Sequence, residues 1–227
     1  KTAVDTPFGK NLVGVFHNPS AVIMDTDVLT TLSPELLRAG LAEMIKHGVV
    51  AEAAYFDAVL HALPLIAKQG ASTPELVPLI AGSVRIKANV VAEDTREGGL
   101  RQILNYGHTI AHAIEREMDF HIAHGEAVAI GMVIEACIAE SIGLAQPGLQ
   151  SAVADAVRSA GLPSTLPAGL NVDGLVASTR GDKKARSGSV RYALPRGIGE
   201  MEAAESRWSV PVDDEVVRRV LVAMPTS

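Results

Sequence analysis

The stretch that organises this chain is RQILNYGHTIAHAIEREMDFHIAHGEAVAIGM, residues 101–132, which holds four of the seven histidines. His108 and His112 are four residues apart in a run with helical periodicity, so they project from one helix face about 6 Å apart. His124 begins the run HGEAVAIGMVIEACIAE, whose apolar residues predict a largely buried helix. An imidazole at the start of a buried helix costs free energy unless it is hydrogen-bonded or ligates a metal. The stretch is therefore a candidate functional site.

Two other interpretations of these histidines remain open. A single histidine on a helix is usually a satisfied surface or core residue, although four within 17 residues make this reading less favourable. Spacing alone would pair His108 with His112 as metal ligands, as in the HExxH helices of zinc proteases. The residues between them are Thr109, Ile110 and Ala111, so the glutamate of that motif is absent and a zinc-protease site is weakly supported.

Composition predicts packed helices in one large domain, or in one domain with a remnant of another. The chain has 227 residues, of which 48% are hydrophobic and only 4% aromatic. Its net charge of −6 predicts no general attraction to nucleic acid or to an anionic membrane. The single cysteine, Cys137, excludes an intrachain disulfide framework and fits a reducing compartment. No signal peptide or apolar run of about 20 residues occurs, so a cytoplasmic protein is expected.

Local patterns predict the secondary structure. Residues 1–19 resemble a loop with a short strand, and residues 21–25 resemble a buried strand. Ser33 and Pro34 are a strong helix start, and the helical pattern then continues to about residue 60. Further helices are predicted at residues 74–91, 101–118, 125–142, 150–160, 173–178 and 213–222, with a hairpin-like strand at residues 190–194.

Glu43 and Lys46 lie three residues apart on the first predicted helix, and two interpretations of them are open. They are either an exposed ion pair or part of a functional face. An exposed ion pair of this kind stabilises a helix by a few tenths of a kcal/mol. Gly40, one turn earlier, weakens a helix interior unless something packs closely against it. This glycine slightly favours the functional interpretation.

Five segments together carry a family resemblance. They are KTAVDTPFGKNLVGVFHNP, LRAGLAEMIKHGVV, REGGLRQILNYGHTIAHAIE, HGEAVAIGM and GDKKARSGSVRYALPRGIG, and they are spread in order over residues 1–200. The series resembles the C-terminal part of the 3-dehydroquinate synthase family, which is one of the sugar phosphate cyclase families. The resemblance implies a mainly α fold, with a helical metal- and substrate-binding domain at residues 27–227. Residues 1–26 would be a strand and loop remnant of an N-terminal α/β nucleotide-binding domain that is absent from the chain.

The same resemblance implies a set of site residues. A divalent ion, zinc or cobalt, would be held by Glu43, His108 and His124, a ligand set typical of catalytic zinc. The catalytic residues would be His112, Lys46, Lys87 and Glu97. The substrate-binding residues would be Lys1, Asn11, Arg101, Asn105, Lys183 and Lys184, and the residues contacting NAD would be Lys1, Lys10, Val28, Leu29, Thr30 and Thr31.

The implied activity is a lyase reaction of the shikimate pathway. It converts 3-deoxy-D-arabino-heptulosonate 7-phosphate to 3-dehydroquinate and phosphate with NAD and a divalent metal, in a full-length enzyme expected to be a homodimer. No G-x-G-x-x-G or triple-glycine segment follows a strand at the start of the chain. We therefore expect the main NAD-binding domain to be missing and the 227 residues alone to be incomplete for turnover. The alternatives are another sugar phosphate cyclase, a metal-dependent polyol dehydrogenase, or a catalytically incomplete metal-binding helical module.

Overall fold

The computed structural model describes residues 2–6, 9–15, 17, 19–180, 189–203 and 207–226, with the backbone alone at residues 2, 5, 6 and 9–12. Within these residues the chain is mostly helical, as predicted. The α-helices are α1 (Pro34–Ala51), α2 (Ala53–Gln69), α3 (Leu76–Glu93), α4 (His108–Glu117), α5 (His124–Ser141), α6 (Leu149–Ser159), α7 (Val172–Thr179) and α8 (Asp214–Ala223). Short 3-10 helices occur at Thr26–Thr31, Gly70–Ser72 and Leu100–Asn105. The strands are β1 (Thr2–Thr6), β2 (Gly9–Val15), β3 (Val190–Tyr192), β4 (Pro195–Gly197), β5 (Glu200–Met201) and β6 (Val210–Val212).

Helix α5 lies at the centre of the core, as its apolar sequence predicted. Its residues from Ala127 to Ile130 and from Met132 to Ile134 are fully buried. Helices α1, α4, α6 and α8 pack around it. A helix that is apolar on all sides is stable only when other elements cover it completely, and this explains why α5 is central.

The continuous helix predicted for residues 101–118 is wrong. The chain forms a 3-10 helix up to Asn105, turns at Tyr106 and Gly107, and then starts α4 at His108. Gly107 adopts a left-handed φ of +78°, where a β-carbon would lie 2.7 Å from Cγ of Met132. The Tyr106 hydroxyl donates to the carbonyl of Met132 at 2.7 Å, so the break is fixed by contacts with α5.

Two other sequence predictions are also corrected. The helical pattern that runs to about residue 60 is divided between α1 and α2, because Glu52 is extended and pairs with Arg85 of α3 at 2.7 Å. Residues 21–25 form no strand and are exposed, with Ile23 94% accessible. An apolar run becomes a buried strand only when a neighbouring strand pairs with it, and no strand among the described residues does so here.

The strands form three small antiparallel pairs: β1 with β2, β3 with β6, and β4 with β5. The strand predicted at residues 190–194 is confirmed as β3, although its partner is β6 and the ladder joins Val190 to Val212. Among the described residues, no helix is both long and apolar enough to cross a membrane.

Candidate metal centre and substrate cleft

Three helices bring Glu43, His108 and His124 to one point. Glu43 lies in the middle of α1, while His108 and His124 are the first residues of α4 and α5. One ligand atom from each residue lies within 4.8 Å of the others. Glu43 Oε1 is 3.4 Å from His108 Nε2 and 3.8 Å from His124 Nε2. One carboxylate and two imidazoles can hold a divalent cation and leave coordination positions open.

Close backbone contacts at two glycines of α5 bring these helices together. A β-carbon on Gly125 would lie 2.2 Å from the carbonyl oxygen of Ala39, so α1 and the start of α5 touch directly. A β-carbon on Gly131 would lie 2.0 Å from the carbonyl oxygen of Gly107, immediately before α4. The absence of side chains at these points allows the three ligand-bearing segments to approach one another.

In both His108 and His124, the ring nitrogen that does not face Glu43 lies close to an oxygen atom. His108 Nδ1 lies 3.0 Å from the carbonyl oxygen of Tyr106, and His124 Nδ1 lies 3.0 Å from Glu115 Oε1. An imidazole that donates from Nδ1 keeps its lone pair on Nε2, the nitrogen that faces Glu43 in both residues. The arrangement is the one in which metal-binding histidines are usually held.

Local charges keep the carboxylate ionised. Burial acts to raise the pKa of Glu43, but its contacts with His108 and Lys46 outweigh burial and hold that pKa well below its usual range. Burial lowers the pKa of His108, which favours the neutral imidazole. A carboxylate and a neutral imidazole are the protonation states that metal binding requires.

Lys46 is a buried cation beside the ligands. Its side chain is 5% exposed and its Nζ lies 2.5 Å from Glu43 Oε2, so the interpretation as an exposed surface ion pair is wrong. Burial lowers the pKa of Lys46. Burial and the nearby Lys46 also lower the pKa of His47 to about 4, and His47 Nδ1 is 2.7 Å from Ser83 Oγ.

Gly40 is not closely packed, because nothing lies within 4 Å of a β-carbon built there.

A cleft of about 570 Å³ opens beside the three candidate ligands. The cleft is lined by five residues to which the family resemblance assigned catalysis or substrate binding: Lys46, Lys87, Glu97, Arg101 and Asn105. His112 is not among the described residues that line this cleft. Its ring centroid lies 5.7 Å from that of His108 and 6.3 Å from that of His124, which places it on the α4 side of the candidate metal centre.

A loop organised by Asp94 presents part of this lining. The Asp94 carboxylate accepts hydrogen bonds from the backbone N–H groups of Gly98 (3.0 Å), Gly99 (2.7 Å) and Arg101 (3.1 Å). The hydrogen bond from the Gly99 N–H is the main reason that the pKa of Asp94 is lowered. Glu97 lies in this loop at a left-handed φ of 62° and accepts a hydrogen bond from Asn105 Nδ2 at 3.0 Å. The loop therefore fixes the backbone from which Arg101 reaches the cleft.

Sequence reasoning missed three acids that support the site. Asp94 holds the loop, Glu115 contacts His124, and Glu135 accepts from the backbone N–H groups of Gly107 (2.8 Å) and Ile110 (3.2 Å) at the start of α4. Glu135 is fully buried in the apolar run of α5. An acid inside such a run is a signal that could have identified it, because a buried charge requires partners.

Several predicted site residues lie outside these observations. Lys1, Lys183 and Lys184 are outside the described residues, and Lys10 and Asn11 are in β2, where only the backbone is described. Residues 28–31 belong to the 3-10 helix Thr26–Thr31, in which Thr30 Oγ1 donates to the carbonyl of Asp27 at 2.7 Å. Their assignment to the cofactor stays a prediction.

Two family models match the chain. The model described as 3-dehydroquinate synthase C-terminal matches residues 40–185, and the model described as 3-dehydroquinate synthase N-terminal matches residues 1–39. The family resemblance inferred from the sequence motifs is confirmed. The predicted domain boundary at residue 26 stays a prediction.

Curated proteins called 3-dehydroquinate synthase are similar to nearly the whole chain. The protein of Nostoc punctiforme (strain ATCC 29133 / PCC 73102) is 41% identical over 226 residues, which cover 99% of this chain and 61% of that protein. The protein of Xanthomonas campestris pv. campestris (strain 8004) is 43% identical over 227 residues, which cover 97% of this chain and 60% of that protein. The chain thus spans about 60% of the length of these curated relatives.

Two solved structures share the fold. ValA, a 2-epi-5-epi-valiolone synthase from Streptomyces hygroscopicus subsp. jinggangensis 5008 with NAD+ and Zn2+ bound, gives a TM-score of 0.84 at 27% identity, covering 97% of this chain and 60% of that one. A 2-deoxy-scyllo-inosose synthase complexed with carbaglucose-6-phosphate, NAD+ and Co2+ gives a TM-score of 0.85 at 28% identity. The match covers 98% of this chain and 61% of that one.

Proposed function

Because the chain belongs to the 3-dehydroquinate synthase family, we propose that it carries the metal- and substrate-binding part of a 3-dehydroquinate synthase. The reaction is the conversion of 3-deoxy-D-arabino-heptulosonate 7-phosphate to 3-dehydroquinate and phosphate, a lyase step of the shikimate pathway. One observation carries the proposal: Glu43, His108 and His124 converge within 4.8 Å, beside a cleft that contains the proposed substrate residues.

The donor set fits zinc or cobalt. One carboxylate oxygen and two Nε2 atoms are ligands that both ions accept, and the remaining coordination positions are free for substrate hydroxyls. When bound, the metal would polarise the hydroxyl to be oxidised and NAD would accept and return a hydride. The ValA structure with NAD+ and Zn2+ and the inosose synthase structure with NAD+ and Co2+ support this choice of cofactors.

The basic side chains of the cleft suit a substrate that has both a phosphate and a carboxylate. Lys46, Lys87 and Arg101 line the cleft in a chain whose net charge is −6, so the favourable field for an anion is local. Asn105, with its amide held by Glu97, would orient a substrate oxygen. We assign Lys1, Asn11, Lys183 and Lys184 to the same task on the family resemblance alone.

We propose that His112 transfers a proton and that Glu97 assists in positioning or proton transfer. The ring of His112 is within 6.3 Å of the ring of His124, so the same substrate would approach both. A neutral imidazole can accept a proton from a substrate hydroxyl and later return it. His112 would therefore act on the substrate rather than as a metal ligand.

A further part of the proposed site would hold NAD. Lys10 and residues 28–31 would contact one side of NAD, and the sequence contains no glycine-rich pyrophosphate loop to hold the other side. We propose that the 227 residues alone bind NAD weakly and that the full-length enzyme is a cytoplasmic homodimer.

Zinc titration tests the metal centre. His124→Ala removes one of three ligands and should weaken zinc binding at least about 100-fold, as expected when a direct ligand is lost rather than an outer partner. His112→Ala should leave zinc affinity within about 3-fold of wild type, because its ring is adjacent to the site without being a ligand. Isothermal calorimetry with a competing chelator measures both values.

His61→Ala is a matched control, since it removes a histidine from the exposed face of α2 outside the cleft. A larger loss for His112→Ala than for His124→Ala would contradict the proposed ligand set and restore the pair of histidines four residues apart. Retention of zinc by both variants would contradict the metal centre altogether.

A second function is another sugar phosphate cyclase activity, which the shared fold of the valiolone and inosose synthases supports. Arg101 and Asn105 favour the first proposal, because a guanidinium and an amide are suited to a substrate carboxylate. The identities of 41% and 43% to 3-dehydroquinate synthases, against 27% and 28% to the other two enzymes, also favour it.

A further inference from the structure

Glu115 is a buried acid directly behind the candidate metal centre. It lies near the end of α4, it is 3% exposed, and its Oε1 is 3.0 Å from His124 Nδ1. Removing a carboxylate from water costs free energy unless a partner offsets the loss. His124 is such a partner, and it comes from a different helix.

The contact between Glu115 and His124 suits one tautomer of the imidazole. An ionised carboxylate can only accept a hydrogen bond, so Nδ1 must be the donor and Nε2 keeps its lone pair. Nε2 is the nitrogen that faces Glu43 Oε1 at 3.8 Å. The His124 side chain is 48% exposed, whereas that of His108 is 16% exposed, so burial orients the His124 ring less than it orients the His108 ring.

We propose that Glu115 is a positioning residue that fixes the tautomer and the orientation of His124 for metal binding. The proposal rests on the metal centre proposed above and assigns Glu115 no contact with substrate or metal. A carboxylate behind an imidazole also makes the ligating nitrogen more basic, which strengthens the bond to the cation. Glu115 should therefore affect the affinity of the centre for zinc.

Glu140 provides a matched control on the neighbouring helix. Like Glu115 it is a glutamate whose carboxylate accepts hydrogen bonds, from the backbone N–H groups of Gly148 at 3.0 Å and Gln150 at 2.8 Å. These partners are beyond the C-terminal end of α5, and His124 is at its N-terminal end. Glu140→Gln removes a hydrogen-bonded charge from the protein without changing the surroundings of His124.

The experiment compares Glu115→Gln, Glu140→Gln and wild type in the 227-residue chain. Zinc affinity, measured by competition with a chelator, should fall about 10-fold in Glu115→Gln, at the lower end of the range for outer partners of metal ligands. The glutamine keeps the size of the side chain and an acceptor oxygen but removes the charge. Glu140→Gln should bind zinc as wild type does.

A second measurement requires no variant. Nitrogen-15 NMR of the metal-free wild type should show His124 protonated at Nδ1 and unprotonated at Nε2 under conditions where the imidazole is neutral. The opposite tautomer would overturn the proposal even if Glu115→Gln failed to fold. Unchanged zinc affinity in a folded Glu115→Gln would also overturn it and would leave the metal centre intact. No zinc binding by wild type would instead remove the proposed function on which the inference rests.

Discussion

At the scale of single residues, Arg101 is the side chain whose role can be separated most clearly from that of the metal. Its backbone N–H is held by Asp94 and its Nη1 donates to the carbonyl of Thr95 at 2.9 Å, so the guanidinium is already oriented in the cleft. We expect Arg101→Gln to weaken binding of the heptulosonate phosphate by about 2 kcal/mol, the usual contribution of a hydrogen bond to a charged group. Zinc affinity should not change. Calorimetric titration with substrate in the presence of zinc measures the substrate affinity. Calorimetric titration with zinc measures the zinc affinity.

Arg85→Gln is the control, because Arg85 is an exposed arginine on α3 that pairs with Glu52 and does not line the cleft. If Arg101 contacts the substrate carboxylate, Arg101→Gln should have little effect on binding of carbaglucose-6-phosphate, which has no carboxylate. Equal losses for zinc and for substrate would show that Arg101 has a structural role only.

At the scale of elements, the crossing of α4 and α5 depends on Gly131. A β-carbon there would lie 2.0 Å from the carbonyl oxygen of Gly107, and neither backbone can move without displacing a helix of the core. We expect Gly131→Ala to lower the free energy of unfolding by about 3 kcal/mol, the upper end of the usual range for overpacking. Zinc affinity should fall as well, because His108 follows Gly107 directly. Urea unfolding followed by circular dichroism measures the stability.

Gly40→Ala is the matched change in α1, where nothing lies within 4 Å of the new β-carbon. It should raise the free energy of unfolding by about 0.5 to 1 kcal/mol, since alanine is the better helix former. Equal stability of the two variants would show that the close contact between Gly107 and Gly131 does not limit this crossing.

At the scale of the whole molecule, we propose that the 227 residues combine a metal centre and an anion cleft with only part of the contacts that hold NAD. Hydride transfer requires the nicotinamide to be held within a few ångströms of the reacting carbon, which in turn requires an anchored pyrophosphate. We expect the 227-residue chain to bind zinc but to release no phosphate from the heptulosonate at a useful rate. A phosphate-release assay with zinc, NAD and substrate tests this expectation.

The positive control for that assay is a chain of the same family that includes a glycine-rich nucleotide-binding domain. Rapid, NAD-dependent phosphate release by the 227 residues alone would contradict the prediction. It would show that Lys1, Lys10 and residues 28–31, or contacts not yet assigned, are enough to hold the cofactor.

Three properties of the protein follow from its amino-acid sequence alone: the helical class, the burial of α5 and the family. Periodicity identifies which face of a helix is apolar, and an all-apolar run such as that of α5 can only be central. The family motifs then pointed to Glu43, His108 and His124 as ligands, where spacing alone would have chosen His112. These conclusions depend on local patterns and residue types, which the sequence contains in full.

The packing of the helices against one another sets where the helix before His108 breaks and which acids support the site. At the break, the Gly107 N–H donates to Glu135, which is 28 residues away, and His124 Nδ1 contacts Glu115 of another helix. Residues 21–24 are apolar in sequence but exposed, because no described strand pairs with them. Local periodicity contains no information about which distant element supplies a partner, and these contacts are formed only when the helices pack together.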